Sequence, residues 1–585
     1  MERDWKPAVA ERPGVVSVIE VLRDAGWRRC TRSPATAAIS KAQAVAVFDR
    51  LVPALTLAVV LAVVLVSLDA PRDSFRLPDD SINHLFTQTL AETGKLYYEE
   101  PYTAADQENL LHPRGALSHE GRIVPVYFFG LPVLYAPFWV LMGEEMRYIA
   151  LAMSLGVVAA LANAGGMLAP DRRWMAWLVV LGAAPLVYMF SRPFLNVLPA
   201  LLFISIGANL LLRYVAAAKD DRRYLLAASA ALALAAFMRY ELVLFQTLLI
   251  LIVVVHKRGG VRSMLTSGGL KDLAAYTIPT ALLFVLPVLA LNQLIYGDPL
   301  TNGYGLLNEA FFPERLGTDG FASNLVDKVR SVLLPTYELD LERAASAFVF
   351  QFAGVAPLFV ALGAFGAWTV ARSRGVSKLM LAACLALAVY AYLYRGAGMS
   401  LHADSTTPNL EASIQRYSMP LYVACYFLAV FALGRLPLRW ATSIAVVVAV
   451  VGAGSALRGW QGNILEVRYW VERSETEVRA PLLQHTEEDA IIFTDTYDKV
   501  LGLDRQVAAW WGGPRGTRED GFFRPDEVAR SVERLVDEQP VYLFFSDHDY
   551  VMPRLEPALQ QQGLAATATD MEQLYKVERK LSPVR

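Results

Sequence analysis

The stretch LVPALTLAVVLAVVLVSLDAPRDSFRLPDDSINHLFTQ (51–88) decides how the rest of this chain is read. Its first eighteen residues carry no charge, and a helix of that length crosses most of a hydrocarbon core about 30 Å thick. Charge returns at Asp69, and the acidic pair Asp79-Asp80 then opens a second, amphipathic helical pattern that Gly94 stops. A membrane span that empties directly into a loop with adjacent carboxylates puts ionisable groups just outside a bilayer.

Runs of the same apolar kind recur at 149–169, 174–190, 194–212, 273–296, 347–370, 379–394, 418–434 and 440–457. The stretch 224–255 is long enough for two helices and is interrupted by Arg239-Tyr240-Glu241, so it reads as a helical pair turning there. The expected architecture is a mainly α, polytopic membrane bundle of about eleven transmembrane helices. Composition agrees: of 585 residues, 55% are hydrophobic and 19% charged, which excludes an ordinary soluble enzyme. A net charge of −2, with basic residues scattered in short loops, gives no footprint for nucleic acid. The three cysteines, Cys30, Cys384 and Cys425, form neither a CxxC pair nor a disulfide framework.

Orientation follows from the basic residues. The loops holding Arg172/Arg173, Arg213/Lys219/Arg222/Arg223, Lys257/Arg258/Arg262/Lys271, Arg372/Arg374/Lys378 and Arg435/Arg439 share one side only if the Pro/Gly-rich apolar stretch 123–142 does not cross. That stretch is therefore read as re-entrant or interfacial. The nine Arg/Lys residues before Leu51 fall on the same side, which makes 1–50 a cytoplasmic segment and the first span a signal anchor. Within the membrane portion 51–457, long loops at 69–147 and 297–346 are then extracytoplasmic. So is the tail 458–585, whose alternating strand-like and helix-like runs predict a small α/β domain.

The acidic pair has two readings. Either carboxylate could cap the helix that follows, which would occupy one of them, or act as a general base toward an acceptor hydroxyl. Asp80, His84 and Gln88 share a helical face, so a divalent cation held by Asp80 and His84 stands as an alternative to no metal. Arg239 and Glu241 sit at a helix break, where mutual pairing competes with phosphate binding by Arg239. The run Gly297-Asp298-Pro299-Leu300-Thr301-Asn302-Gly303-Tyr304 is dense in turn residues.

The order of these motifs resembles the GT-C superfamily of membrane glycosyltransferases that use polyprenyl-phosphate sugars, particularly its protein O-mannosyltransferase and aminoarabinose-transferase-like branch. The resemblance rests on PDDSINHLFTQTLAETGKLYYEEPY (from Pro78), VPVYFFGLPVLYAPFW (from Val124), NQLIYGDPLTNGYG (from Asn292) and QRYSMPLY (from Gln415), all within 51–434. It implies an inverting transfer in which Asp79 or Asp80 deprotonates the acceptor while lipid phosphate leaves from the opposite face. Arg416 and Tyr417 match the donor-phosphate motif, with Arg239, Arg395 and Lys95 as further phosphate candidates. His84, Tyr127, Asn302, Tyr304 and His402 are the corresponding substrate contacts. The partners implied are a polyprenyl-phosphate-sugar donor, a glycan, lipid or protein acceptor, and membrane lipids.

The same phosphate logic would serve a lipid-linked glycan ligase or polymerase. A sugar or lipid transporter is the alternative of a different class. Against it stand the placement of ionisable residues in outer loops rather than at the midplane, and the absence of an inverted repeat. No GxGxxG or GxxxxGK loop supports a nucleotide-sugar donor. In the tail, Trp510-Trp511-Gly512-Gly513 resembles the Trp-Trp-Asp signature of oligosaccharyltransferase catalytic subunits without its Asp.

Overall fold

A computed structural model of the protein describes residues 34–69, 75–99, 111–217, 221–303, 306, 345–372, 409–411, 413–495, 497–502, 504–509, 525–546 and 548–580. The chain divides into Met1–Arg50 and Leu51–Arg585, and the second unit holds every site discussed below.

The helices follow the apolar runs: α1 (Val47–Leu68), α2 (Pro78–Thr93), α3 (Gly130–Met142), α4 (Ile149–Leu168), α5 (Arg173–Leu181), α6 (Ala184–Phe190) and α7 (Val197–Ala216). After them come α8 (Arg222–Met238), α9 (Leu242–Arg258), α10 (Ser267–Tyr296), α11 (Pro357–Arg372), α12 (Ser413–Tyr417), α13 (Met419–Arg435) and α14 (Leu438–Gly454). Among the described residues five helical stretches are long and apolar enough to cross a membrane, and two bent pairs bring the number to seven. The 17-residue helices α8, α9 and α13 stand at the lower limit of a crossing, about 17 residues. The expected span 379–394 lies outside the described residues. This is a multi-pass membrane protein.

Three readings need correction. The run 174–190 is not one straight span: α5 and α6 meet at 73°, because Ala183 leaves helical geometry and Pro185 opens α6 without an N–H to continue the ladder. The run 347–370 is likewise broken, with Ala347–Ala353 and α11 meeting at 105°. The stretch 123–142 is not one apolar segment: its first residues belong to a strand, and α3 runs on through a short 3-10 turn into α4, so that Gly130–Leu168 counts as one of the five candidate spans. The expected turn in 224–255 is present, with Arg239-Tyr240-Glu241 between α8 and α9.

The bends permit close packing. A Cβ on Gly452 of α14 would overlap the carbonyl oxygens of Leu181 and Gly182, so α14 lies directly on the α5–α6 break. The main core gathers around these helices, with fully buried Tyr188, Phe190, Phe359, Tyr422 and Tyr426.

Two sheets lie outside the bundle. In the first loop, β1 (Tyr98–Glu99), β2 (Ala116–His119) and β3 (Arg122–Pro125) pair antiparallel in the order β1-β3-β2. The β2–β3 hairpin turns on Glu120-Gly121, both at positive φ, as a two-residue hairpin turn requires. The C-terminal sheet comprises β4 (Ile491–Thr494), β5 (Gln506–Ala509), β6 (Val541–Phe544), β7 (Leu564–Ala568) and β8 (Leu574–Arg579), in the order β5-β4-β6-β8-β7. Strand β4 is parallel to β5 and β6, while β8 is antiparallel to both β6 and β7. Helices Pro525–Leu535 and His548–Gln561 join its core, giving the α/β tail that the runs predict. The pair Trp510-Trp511 lies outside the described residues.

Candidate active site at the start of helix α2

Helix α2 begins at Pro78, and its N-cap residue Leu77 offers no side-chain hydrogen bond. Neither Asp79 nor Asp80 caps the helix, so the capping alternative is set aside; both fall in the first turn, where the helix dipole favours negative charge. Their side chains diverge. Asp79 is ion-paired to Arg416 and keeps 25% of its side chain exposed. Asp80 is ion-paired to Arg192 and keeps 6%. Its other oxygen, Oδ1, is buried without a hydrogen-bond partner among the described residues. Burial raises the Asp80 carboxyl above its ordinary range, against the pull of Arg192 and with the push of neighbouring Asp79.

Arg192 was not among the site residues expected from sequence. It sits in the turn between α6 and α7, which two other side chains hold in place. Asn83 Nδ2 donates to the Phe194 carbonyl at 2.8 Å, and the Tyr135 hydroxyl donates to the Pro193 carbonyl at 2.9 Å. The available signal was a single arginine between two apolar spans, a costly position for a charge without a partner.

Arg416 owes its position to its neighbour. Gln415 is fully buried, donates to the Gln351 and Asn409 carbonyls at 2.7 and 3.1 Å, and accepts from the Tyr422 hydroxyl at 2.8 Å. This bracing pins α12 and presents Arg416 and Tyr417 on a narrow cleft. The walls of the cleft are apolar, built by Val197, Leu201, Leu242, Phe245, Met419 and Pro420. Arg239 and Glu241 line it as well. Arg239 Nη2 pairs with Glu241 Oε1 at 2.5 Å, and the Arg239 guanidinium lies 4.7 Å from the centroid of the Tyr417 ring. The first turns of α7, α9 and α13 all reach this cleft, so three helix N-termini add partial positive charge to two guanidiniums. Both guanidiniums at this end of the apolar cleft are ion-paired, Arg239 to Glu241 and Arg416 to Asp79, and an anionic head group could take them only by competing with those carboxylates.

The remaining expectations divide. Tyr127 lies within electrostatic reach of Arg416. The turn containing Asn302 abuts the same region, since Gly303 packs on the backbone of Pro125 and Val126, and the Tyr296 hydroxyl donates to the Pro125 carbonyl at 2.6 Å. Lys95 is a correction. It follows the far end of α2, about 20 Å of helix from Asp79, and pairs there with Glu99 at 3.5 Å. His84 is another: its ring packs between Phe75, Trp139 and Phe194, with centroids 4.7–5.2 Å away, and Nδ1 has no hydrogen-bond partner among the described residues. The structure places it as a buried core residue. The Asp80/His84 cation pair does not assemble either, because Asp80 turns to Arg192 and His84 to aromatic rings. Among the described residues no group of three or more His, Cys, Asp or Glu side chains is placed to hold a metal. Tyr304, Arg395 and His402 lie outside the described residues.

No protein-family model and no curated protein matches the chain. Among solved structures it is similar to ArnT from Cupriavidus metallidurans in the apo state, with a TM-score of 0.51 and 14% identity over 90% of this chain and 97% of that one. The likeness shows the fold. That fold is a polytopic helical bundle with a small C-terminal sheet, the architecture expected from the sequence.

Proposed function

We propose that this protein is an inverting glycosyltransferase, moving a sugar from a polyprenyl-phosphate carrier to an acceptor on the extracytoplasmic side of the membrane. The observation that carries the reading is the ion pair between Asp79 and Arg416, with Arg416 and Arg239 lining one apolar cleft. It sets a carboxylate that can accept a proton beside a cation that can receive a phosphate. The similarity to ArnT supports the reaction class through the fold alone.

In this reading the prenyl chain lies along Val197, Leu242 and Met419, and the phosphate takes Arg416 and Arg239. Phosphate competing for Arg416 frees Asp79, which is the more exposed of the two carboxylates and so the one that an acceptor hydroxyl can reach. Asp79 removes the hydroxyl proton as that oxygen bonds to the anomeric carbon. The bond from that carbon to the phosphate oxygen breaks on the opposite face, and the charge gathering on the departing lipid phosphate is held by the two arginines. Inversion follows from attack opposite the leaving group. Asp80, neutralised by Arg192, holds the start of α2 and is a positioning residue.

The test is sugar transfer from a panel of polyprenyl-phosphate sugars by protein in lipid nanodiscs. Wild type is expected to turn over at least one donor, Asp79→Asn to bind donor without turnover, and Arg416→Ala to lose donor affinity. A panel that gives neither turnover nor donor binding would overturn the proposal in favour of transport.

A further inference from the structure

This mechanism leaves the C-terminal sheet without a task, yet a carboxylate of that domain is bound into the first loop. Asp498, at the start of the short helix after β4, is 1% exposed on its side chain. It accepts three hydrogen bonds from Arg114: from the backbone N–H at 2.8 Å, from Nε at 2.8 Å and from Nη2 at 2.5 Å. A fork of this kind, withdrawn from water, fixes the backbone of its partner as well as the side chain.

What it fixes is the segment beside the reacting groups. The next residue, Gly115, has φ +88, and the space that a Cβ would need is taken by the Tyr127 ring and by Ile82 of α2. The Gly115 carbonyl accepts from Val126 N–H at 2.8 Å. Tyr127 is within electrostatic reach of both Arg114 and Arg416. A line of contacts therefore runs from the C-terminal domain through Arg114 and Gly115 to the Tyr127 ring, which lies within electrostatic reach of Arg416.

We propose that Arg114 and Asp498 are positioning residues: through Gly115 their pair sets Tyr127 beside Arg416, which makes the C-terminal domain a working part of the transferase site. This rests on the transferase reading above.

The experiment compares wild type, Asp498→Asn, Gly115→Ala and a control, Asp537→Asn, as full-length protein in nanodiscs. The control breaks an exposed pair with Arg579 in the same domain. Two quantities are read, hydrogen exchange of residues 113–127 and steady-state transfer. Asp498→Asn is expected to speed exchange across 113–127 and to lower kcat by about tenfold or more, as a displaced substrate-positioning group does, with the donor KM little changed. Gly115→Ala should lower kcat similarly by displacing Tyr127 while the pair survives, and the control should match wild type in both. Should Asp498→Asn fail to fold, Arg114→Lys, which keeps the charge and loses the fork, takes its place. Unchanged exchange, or unchanged turnover in a folded variant, overturns the proposal. If wild type itself transfers no sugar, the transferase reading fails on that result, while the exchange data separately decide whether the tail holds the loop.

Discussion

Asp79 and Asp80 are neighbours in sequence and answer to different arginines, and that difference predicts different phenotypes. If Asp79 is the base, Asp79→Asn lowers turnover by roughly 10²–10⁴-fold and leaves the thermal midpoint near wild type. Asp80→Asn leaves Arg192 buried without its counter-charge, a loss that costs about 3–5 kcal/mol in comparable pairs, so its first effect is a lowered Tm. The opposite pattern would transfer the base to Asp80. His84 gives a pH prediction. Burial, partly opposed by Glu144, lowers its pKa from 6.5 to about 4. The unfolded ring therefore takes a proton at a higher pH than the folded one, so this contribution is complete above 6.5 and is lost progressively as pH falls toward 4. Comparing Tm above 6.5 with Tm near 5 tests this; His84→Phe, which keeps the aromatic packing, should remove that part of the pH dependence. Legibility was uneven at this scale. Two adjacent carboxylates after a span are visible as a motif, but which of them is buried depends on Arg192 and Arg416, which lie 112 and 337 positions from their partners.

At the scale of elements, apolar runs locate helices and do not reveal where those helices bend. The α5–α6 break holds because α14 packs directly against it through Gly452. Gly452→Leu is expected to destabilise the bundle by about 1–3 kcal/mol or more, the usual cost of overpacking, read as a lower Tm in detergent. Gly454, two residues on, has no neighbour within 4 Å of an added Cβ, and Gly454→Ala should be neutral. The cleft is a property of elements too: the first turns of α7, α9 and α13 converge there, and α12 is held at its edge by the buried hydrogen bonds of Gln415. Charge at the break in 224–255 could be read from the sequence, whereas its convergence with QRYSMPLY could not, because the two motifs meet only through packing.

At the scale of the whole molecule, the first loop and the C-terminal domain lie on one side of the bundle. Arg114 is bonded to Asp498, and Gly502 backs onto Pro113. The distribution of basic residues predicts that this side is extracytoplasmic, and a labelling experiment decides it. With the three native cysteines replaced, a cysteine at the exposed position Asp537 should react with an impermeant maleimide on intact cells. One at the exposed position Arg262 should react only after permeabilisation. The reverse pattern would put the carboxylates on the nucleotide-sugar side and remove the reason for preferring a lipid-linked donor.

The sequence by itself determined the solvent, the helix content and the α/β nature of the tail, since long uncharged runs have few physical solutions in a bilayer. Only the tertiary structure decided the rest. It gave each Asp its arginine, made His84 a core residue, sent Lys95 to the far end of α2 and joined Asp498 to the first loop. Those outcomes depend on which side chains meet across hundreds of residues, and ion pairing and packing choose such partners by proximity in space, which local periodicity and composition do not encode.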